Sequence, residues 1–496
     1  MKLPAKRIGV TTSITSIDEP IEVDFYYRTA HLYTIDQSTY YQLFPEPELD
    51  EELFAQKGIP VPPKKKRIRE NGYLVIDYTY DMDPVDNHNQ GAAKKRPELL
   101  TMHGIFSFFT NIPLTAFQFY SHHSRPTREH VCQPAKHKTL MKTENGDHST
   151  DLQLLLNKLI SLDTAKEQLI FSLLDRWRKA LYLEKENEDG FLFTDEAILS
   201  CFHIWELLAK EFSKDYENTL QDKLDSFIEI FLTEDLFIRE QQRASEQSRL
   251  RSVFTAGIAP SVGIKAKIFY LFKRLDLYNN KSHSLVERFL EFRNMIAHGR
   301  SSLYEPKAVF PLKPFFSLVR DEDEVESIKI ATARTIAAFL GLKIWEVEWD
   351  YILRRELPTL LEVKRFIKDK IYEQLSITDF LMGKEAEVTP YVVTRYFLEK
   401  KISLSDYEVT LSNFLLTSKA SAENVSAILY PAVILADSKN DLLSKKCREM
   451  VTFIRQKKWE EQFNYRDILK YLDYLNMTPK WYHSFLNDIP SKNNQL

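Results

Sequence analysis

Residues 282–306 read SHSLVERFLEFRNMIAHGRSSLYEP. Leu285, Phe289, Phe292 and Ile296 step by four, three and four, the repeat of one helix face turned toward a core. Ser284, with Glu287 three residues on, predicts a capping box at the helix start, each side chain satisfying an amide that the first turn leaves free. Gly299 predicts the end, because glycine enters the left-handed turn that closes a helix at little steric cost. Arg293, Asn294 and His298 therefore fall in the final two turns of an amphipathic helix.

The same period extends outward from this segment. Leu152, Leu155, Leu156, Leu159 and Ile160 recur at three and four, and the stretch Leu169 to Leu183 continues the pattern. Thr194 caps the next segment, where Ile198, Cys201, Phe202, Trp205, Leu208 and Phe212 form an apolar stripe. A polar helix over Asp222 to Arg249 follows, then Ile264 to Leu277, then helices from Glu324 almost to the end with breaks near Pro358, Pro390 and Pro431. The first 150 residues differ. Ile21 to Tyr27 and Tyr73 to Tyr80 are short β-rich runs, separated by a basic loop, Pro60 to Arg67; a second loop is expected from Asn87 to Pro97. The fold class is mostly α with a β-containing N-terminal domain. The expected division is 1–150 as a β-rich or α+β domain, 151–345 as a helical bundle and 346–496 as a helical C-terminal region.

Composition narrows the function. Twelve Gly in 496 residues is well under the usual share of about 7%, and neither GxGxxG nor GxxxxGK[ST] occurs, so Rossmann and P-loop readings fall away. No GxSxG or HExxH occurs either. Sixty-seven Lys and Arg against 71 Asp and Glu give a net charge of −4, which does not describe a protein that coats duplex DNA but leaves room for a local basic groove. Three widely spaced cysteines, Cys132, Cys201 and Cys447, encode no disulfide framework. Met1 to Arg7 lacks the apolar core of a signal peptide, and Ile330 to Trp345 is interrupted by Arg334 and Lys343 and too short to span a bilayer. A cytoplasmic protein without a membrane partner is expected.

Chemistry concentrates at the end of the 282–306 helix. Asn294 and His298 are four apart and share a face; Arg293 is one residue's rotation away. Arg293 and His298 approach one phosphate only if the helix end loosens or a partner helix contributes. The carboxyl end of a helix favours an imidazolium placed there. A histidine that moves protons beside an arginine that braces a phosphorane is the minimum kit for cleaving RNA without metal, since the RNA supplies its own 2′-hydroxyl. The plainer alternative is a capping His before Gly and a solvated Arg. Arg125 and His130 also stand R-x4-H outside any helical pattern, an accident that twelve His make expected about once.

The run Phe292-Arg293-Asn294-Met295-Ile296-Ala297-His298-Gly299 closely resembles the RNxxxHG signature of the HEPN superfamily (higher eukaryotes and prokaryotes nucleotide-binding domain). In layout the chain is most similar to ApeA-like anti-phage members. The resemblance implies an up-and-down helical bundle in the middle of the chain and a metal-independent endoribonuclease with no cofactor. It implies a homodimer, or a higher even oligomer, in which two Arg and two His line one cleft. On it His298 is the general acid/base, Arg293 stabilises the transition state, Asn294 positions His298 or the phosphate, and Glu206 orients Arg293 from a facing helix. An abortive-infection effector degrading RNA or tRNA on a phage-derived trigger is the function implied; a non-catalytic scaffold binding RNA or protein through the same bundle is the alternative.

Other clusters carry less. His122, His123, His130, His137 and His148 surround Cys132, but the spacing is wrong for a common zinc finger, and a nucleic-acid-facing loop fits better. Arg125, Arg128, Lys136 and Lys138 in that window, with Arg300 beyond the signature, are the candidate RNA-binding cations. Asp321 to Glu324 serves the positive end of the following helix. Trp459, Tyr465, Tyr471, Tyr474, Trp481 and Tyr482 recur at mixed helical spacing, as core or as a base-stacking platform.

Overall fold

The computed structural model describes residues 7–17, 19–43, 72–83, 87–114, 119–125, 139–186, 193–258, 262–299, 324–459, 465–477 and 479–487. The protein is mostly helical, with an antiparallel sheet confined to the N-terminal part. It forms two discontinuous units, Met1–Ile268 with Ile328–Trp349, and Phe269–Ser327 with Asp350–Leu496. The 151–345 segment thus contributes residues to both.

In the first unit, strands β1 (Arg7–Ile17), β2 (Glu22–Tyr27), β3 (Ala30–Ile35), β4 (Gly72–Met82), β5 (Phe119–Arg125), β6 (Leu140–Thr143) and β7 (Gly146–Asp147) pair in the order β5-β1-β4-β3-β2-β6-β7. Strand β2 shows why it is a strand: Val23, Phe25 and Tyr27 are buried while Glu22, Asp24 and Tyr26 alternate outward. Helix Arg96–Thr110 is buried over nearly its whole length. Glu98 ties it to the β2–β3 turn, accepting from the amide of Thr29 at 2.6 Å. It packs on helix Thr164–Lys185 where Gly104 meets Leu174; a Cβ on Gly104 would stand 2.7 Å from the Leu174 side chain, so only glycine allows that approach. Phe108, Trp177 and Trp345 meet edge-on or tilted around this joint, and both indoles donate to carbonyls of helix 96–110, Trp177 to Ser107 and Trp345 to Phe108, each at 3.2 Å. Asp151 closes the unit by accepting from the amide of Ile344 at 2.8 Å.

The second unit is helical. Val363, Phe366, Phe380, Val393, Tyr407, Leu411, Ile428 and Val451 are among the residues of its core. Thr359, Ser376, Thr389, Ser403 and Asn440 each accept from the amide three residues on, so five of its helices start on a side-chain cap worth about 1 kcal/mol apiece.

Several expectations change. The stretch Asn87 to Pro97 is not a loop: helix His88–Lys94 runs through it, and Pro97 sits in the first turn of helix 96–110, where a missing amide proton is harmless. The polar helix over Asp222 to Arg249 is two helices, Ser213–Ile230 and Glu240–Ile258, divided by a π-turn at Phe231–Asp235. Pro431 lies inside helix Val425–Ile434 rather than at a break, and Pro390 opens helix Pro390–Leu398. Thr194 is the first residue of its helix, with Phe193 at the cap position. His122, His123 and Arg125 belong to β5. The basic stretch Pro60 to Arg67, and Arg128, His130, Cys132, Lys136, His137, Lys138, Arg300 and Asp321 to Asp323, lie outside the described residues.

Candidate functional site

The helix that carries the Arg-Asn-His residues runs Asn280–Ala297. It starts five residues earlier than Ser284 predicts. Asn279 is the cap: its Oδ1 accepts from the amide of Ser282 at 2.8 Å, and Ser282 Oγ accepts from the amide of Asn279 at 2.7 Å. That reciprocal pair is a capping box built from Asn and Ser, so the free amides are satisfied before Ser284 is reached. Glu287 is left to face His283, its carboxylate 3.4 Å from Nε2.

Burial along the helix is uneven. Leu285, Val286, Phe289 and Leu290 are fully buried, whereas Phe292 and Ile296, which continue the predicted stripe, are only half-buried. Midway, Arg288 donates through both terminal nitrogens to the carboxylate of Glu356, each at 2.7 Å, with the pair largely shielded from water. This bidentate clamp pins the helix to a residue 68 positions away. The anchored half and the exposed end are thus distinct.

At the exposed end, His298 is the cap rather than a member of the last turn, with φ −94° and ψ 14°. Its amide donates to the carbonyl of Asn294 at 3.1 Å, and Gly299, at φ +73°, donates to the carbonyl of Ile296 at 2.9 Å. The predicted left-handed turn is present, and it stops the helix directly after the imidazole. The His298 side chain is exposed and makes no hydrogen bond or ion pair among the described residues. Arg293 is half-buried, and its Nη1 donates to Oδ1 of Asn294 at 3.4 Å. The structure therefore brings Arg293 and Asn294 side chains together and ties the His298 backbone to Asn294. Glu206, half-buried on helix Thr194–Glu211, belongs to the other unit.

Other nucleophiles are less suited. Cys201 and Cys447 are free and buried, and burial pushes both thiols up to about 12, far from a reactive thiolate. Among the described residues no three His, Cys, Asp or Glu side chains come together as a metal site. Of the C-terminal aromatics, Tyr465, Tyr471 and Tyr482 are core, Tyr474 is exposed, and Trp459 and Trp481 are half-buried. No helix among the described residues is long and apolar enough to cross a membrane.

Two residues matter that the sequence did not flag. Glu356, the partner of Arg288, has no local signal because the pairing is long-range. His103, inside helix 96–110, is buried with neither ring nitrogen bonded among the described residues. Its burial, reinforced by the charge of Arg178, pushes its pKa down to about 3, so it is a neutral core side chain.

No protein-family model, no curated protein and no solved structure matches this chain. The chemistry must therefore be argued from the site itself. An accessible imidazole can exchange a proton, and a guanidinium bonded to a carboxamide on the same last turns of the helix can hold an anionic oxygen.

Proposed function

We propose that the protein is a metal-independent endoribonuclease of the HEPN type, acting in the cytoplasm as an anti-phage abortive-infection effector. The observation that carries this reading is His298: an exposed imidazole, without a side-chain partner among the described residues, on the turn that follows Arg293 and Asn294. The His298 backbone amide makes the closing bond, as in an ordinary C-terminal cap, and the ring is left for solvent or substrate.

In the reaction, one imidazole takes the proton of the RNA 2′-hydroxyl as its oxygen attacks the adjacent phosphorus. The P–O5′ bond breaks, and the departing 5′-oxygen receives a proton from a second imidazole, leaving a 2′,3′-cyclic phosphate. Arg293 offsets the charge that builds on the non-bridging oxygens. Asn294, hydrogen-bonded to Arg293, holds that guanidinium in position. One chain supplies one such set, so the second proton carrier comes from a second copy, and the working unit is a homodimer or a multiple of it. The substrate is RNA, tRNA included, and a phage-derived trigger raises the activity above a basal level that the purified chain shows alone.

The test is cleavage of total RNA by the purified full chain and by His298→Ala and Arg293→Ala, with and without EDTA, with the ends of the products analysed. Loss of roughly 10²–10⁴ in rate for His298→Ala, unchanged activity in EDTA and cyclic phosphate ends are expected. Equal cleavage by His298→Ala, or cleavage that stops with chelator, removes the reading. RNA binding with no cleavage by the unsubstituted chain would put a scaffold in its place.

A further inference from the structure

A surface of different chemistry lies on the C-terminal unit and shares no residue with the His298 helix. Helix Asp441–Gln456 carries Arg448, Thr452 and Arg455 at steps of four and three, along one face. Helix Lys480–Asn487 lays Trp481 and Phe485, one turn apart, against that face. Their rings are stacked, 4.9 Å between centres and 23° between planes. The Arg448 guanidinium lies 5.7 Å from the centre of the Trp481 ring, and that of Arg455 lies 5.3 Å from Phe485. Beyond them Lys457 Nζ stands 5.5 Å from the exposed ring of Phe453. Cations and aromatic faces therefore alternate along the surface.

Beside this row opens a groove of about 610 Å³, bordered by Trp481, Arg448, Lys445 and Phe453. Its volume falls within the span of roughly 300–1,000 Å³ typical of ligand sites. Asp437, Asp441 and Glu449 also border it. Asp437, however, is held by Arg448 at 3.1 Å and accepts from the Trp481 amide at 3.1 Å, so its charge is answered from within. Between Asp437 and Lys458 the chain has seven Lys or Arg against three Asp or Glu, and Lys439, Lys445, Lys457 and Lys458 are all exposed. That stretch is positive in a chain whose net charge is −4. The excess lies on the margin of the groove, whose own lining sets Lys445 and Arg448 against Asp437, Asp441 and Glu449.

We propose that this groove and its lysine-bearing margin bind single-stranded RNA, bases stacking at the Trp481–Phe485 pair and phosphates following the exposed lysines outside the carboxylate-lined floor. Half-exposed rings flanked by cations suit unpaired bases, whose faces are open; in a duplex those faces are already covered by neighbouring pairs. Only the choice of RNA over DNA rests on the ribonuclease reading. The surface would hold a strand whether or not His298 cuts it.

The experiment measures anisotropy of a fluorescein-labelled single-stranded RNA of about 12 nucleotides, a length within the usual span of such sites. It is titrated with the full chain carrying His298→Ala, so that no cleavage intervenes. Trp481→Leu, which keeps apolar bulk and removes the indole, is expected to weaken binding roughly 5- to 100-fold, and Trp481→Phe far less. Lys457→Glu with Lys458→Glu is expected to lower the slope of log affinity against log salt by about 0.7 for each phosphate no longer neutralised. Circular dichroism matching the parent shows that each variant is folded. Binding by Trp481→Leu and by the double lysine variant within twofold of the parent overturns the proposal. So does an equal affinity for duplex RNA, or for polyglutamate, which has charge but no bases. A chain that binds through this groove yet never cleaves leaves the groove standing and removes the ribonuclease reading; a nuclease whose affinity ignores these variants does the reverse.

Discussion

Two histidines show one side chain put to opposite uses. His298 is exposed and unengaged among the described residues, whereas His103 is sealed in a core beside Arg178. The unfolded chain protonates His103 near pH 6.5 and the folded chain only near pH 3, because burial and then the Arg178 charge disfavour the imidazolium. Between those values the unfolded state holds the extra proton, so lowering the pH favours unfolding. The contribution is complete above about pH 6.5 and is lost as pH falls to about 3, on the order of 4–5 kcal/mol over the whole window. His103→Leu keeps most of the volume and cannot titrate. It should flatten the acid limb of stability, by about 2–3 kcal/mol between pH 7 and pH 4.5, in denaturant midpoints taken at both values. Parallel pH dependence in the two proteins would show that His103 does not set that limb. His298→Ala, at an exposed position, should leave the melting temperature within about 1 °C of the parent, since surface changes are usually within ±0.5 kcal/mol. At this scale the sequence was informative about His298, whose neighbours Arg293, Asn294 and Gly299 form a local pattern. His103 left no trace because the run from Leu99 to Phe109 is buried on all sides and shows no polar face against which a histidine would stand out.

The 280–297 helix joins an anchored half to an exposed half, and each end is open to test. Gly299 sits at φ +73° with nothing within 4 Å of where a Cβ would be, so only backbone conformation is at issue. Gly299→Ala should cost about 1 kcal/mol and loosen the turn that presents His298, lowering cleavage, whereas Gly299→Asn should be better tolerated. A melting curve and the cleavage rate, measured together, decide this; equal values for all three residues would mean the turn is not needed. In the anchored half, Glu356→Ala leaves the Arg288 guanidinium largely buried without its carboxylate, for a loss of roughly 3 kcal/mol. Loss below about 1 kcal/mol in urea unfolding would mean water reaches the pair. Helix bodies were readable from the sequence because core-facing residues repeat at three and four. Helix starts were less so: Ser284-x-x-Glu287 and Asn279-x-x-Ser282 are both local capping patterns five residues apart, and the second is the one at the observed helix start. The break at Phe231–Asp235 interrupts a polar stretch in which no apolar period exists to lose.

For the molecule as a whole, the class was legible and the long-range ties were not. A β-containing start followed by helices follows from the change of period near Asp151. The pairing of Asp151 with Ile344, and of Trp345 with Phe108, spans about two hundred residues and has no local signature. The second proton carrier that the proposed chemistry requires sets the expected assembly. Light scattering at micromolar concentration should give a dimer or an even multiple of the 58.3 kDa chain. A strict monomer that still cleaves RNA would remove the two-copy mechanism.

Helix Glu324–Leu340, from Ile328 on, and the turn to Trp345 complete the unit that begins with β1, which the chain leaves at Ile268. Synthesis runs in one direction, so the ribosome has already released the His298 turn while Lys158, Asp151 and Phe108 still await the Leu340 carbonyl, the Ile344 amide and the Trp345 indole. At about 5–20 residues per second, the wait between Ile268 and Trp349 is roughly 4–16 s. A nascent chain therefore carries the Arg-Asn-His turn before either unit has all of its residues, and a message truncated just beyond Gly299 would encode that turn without a completed body to hold it.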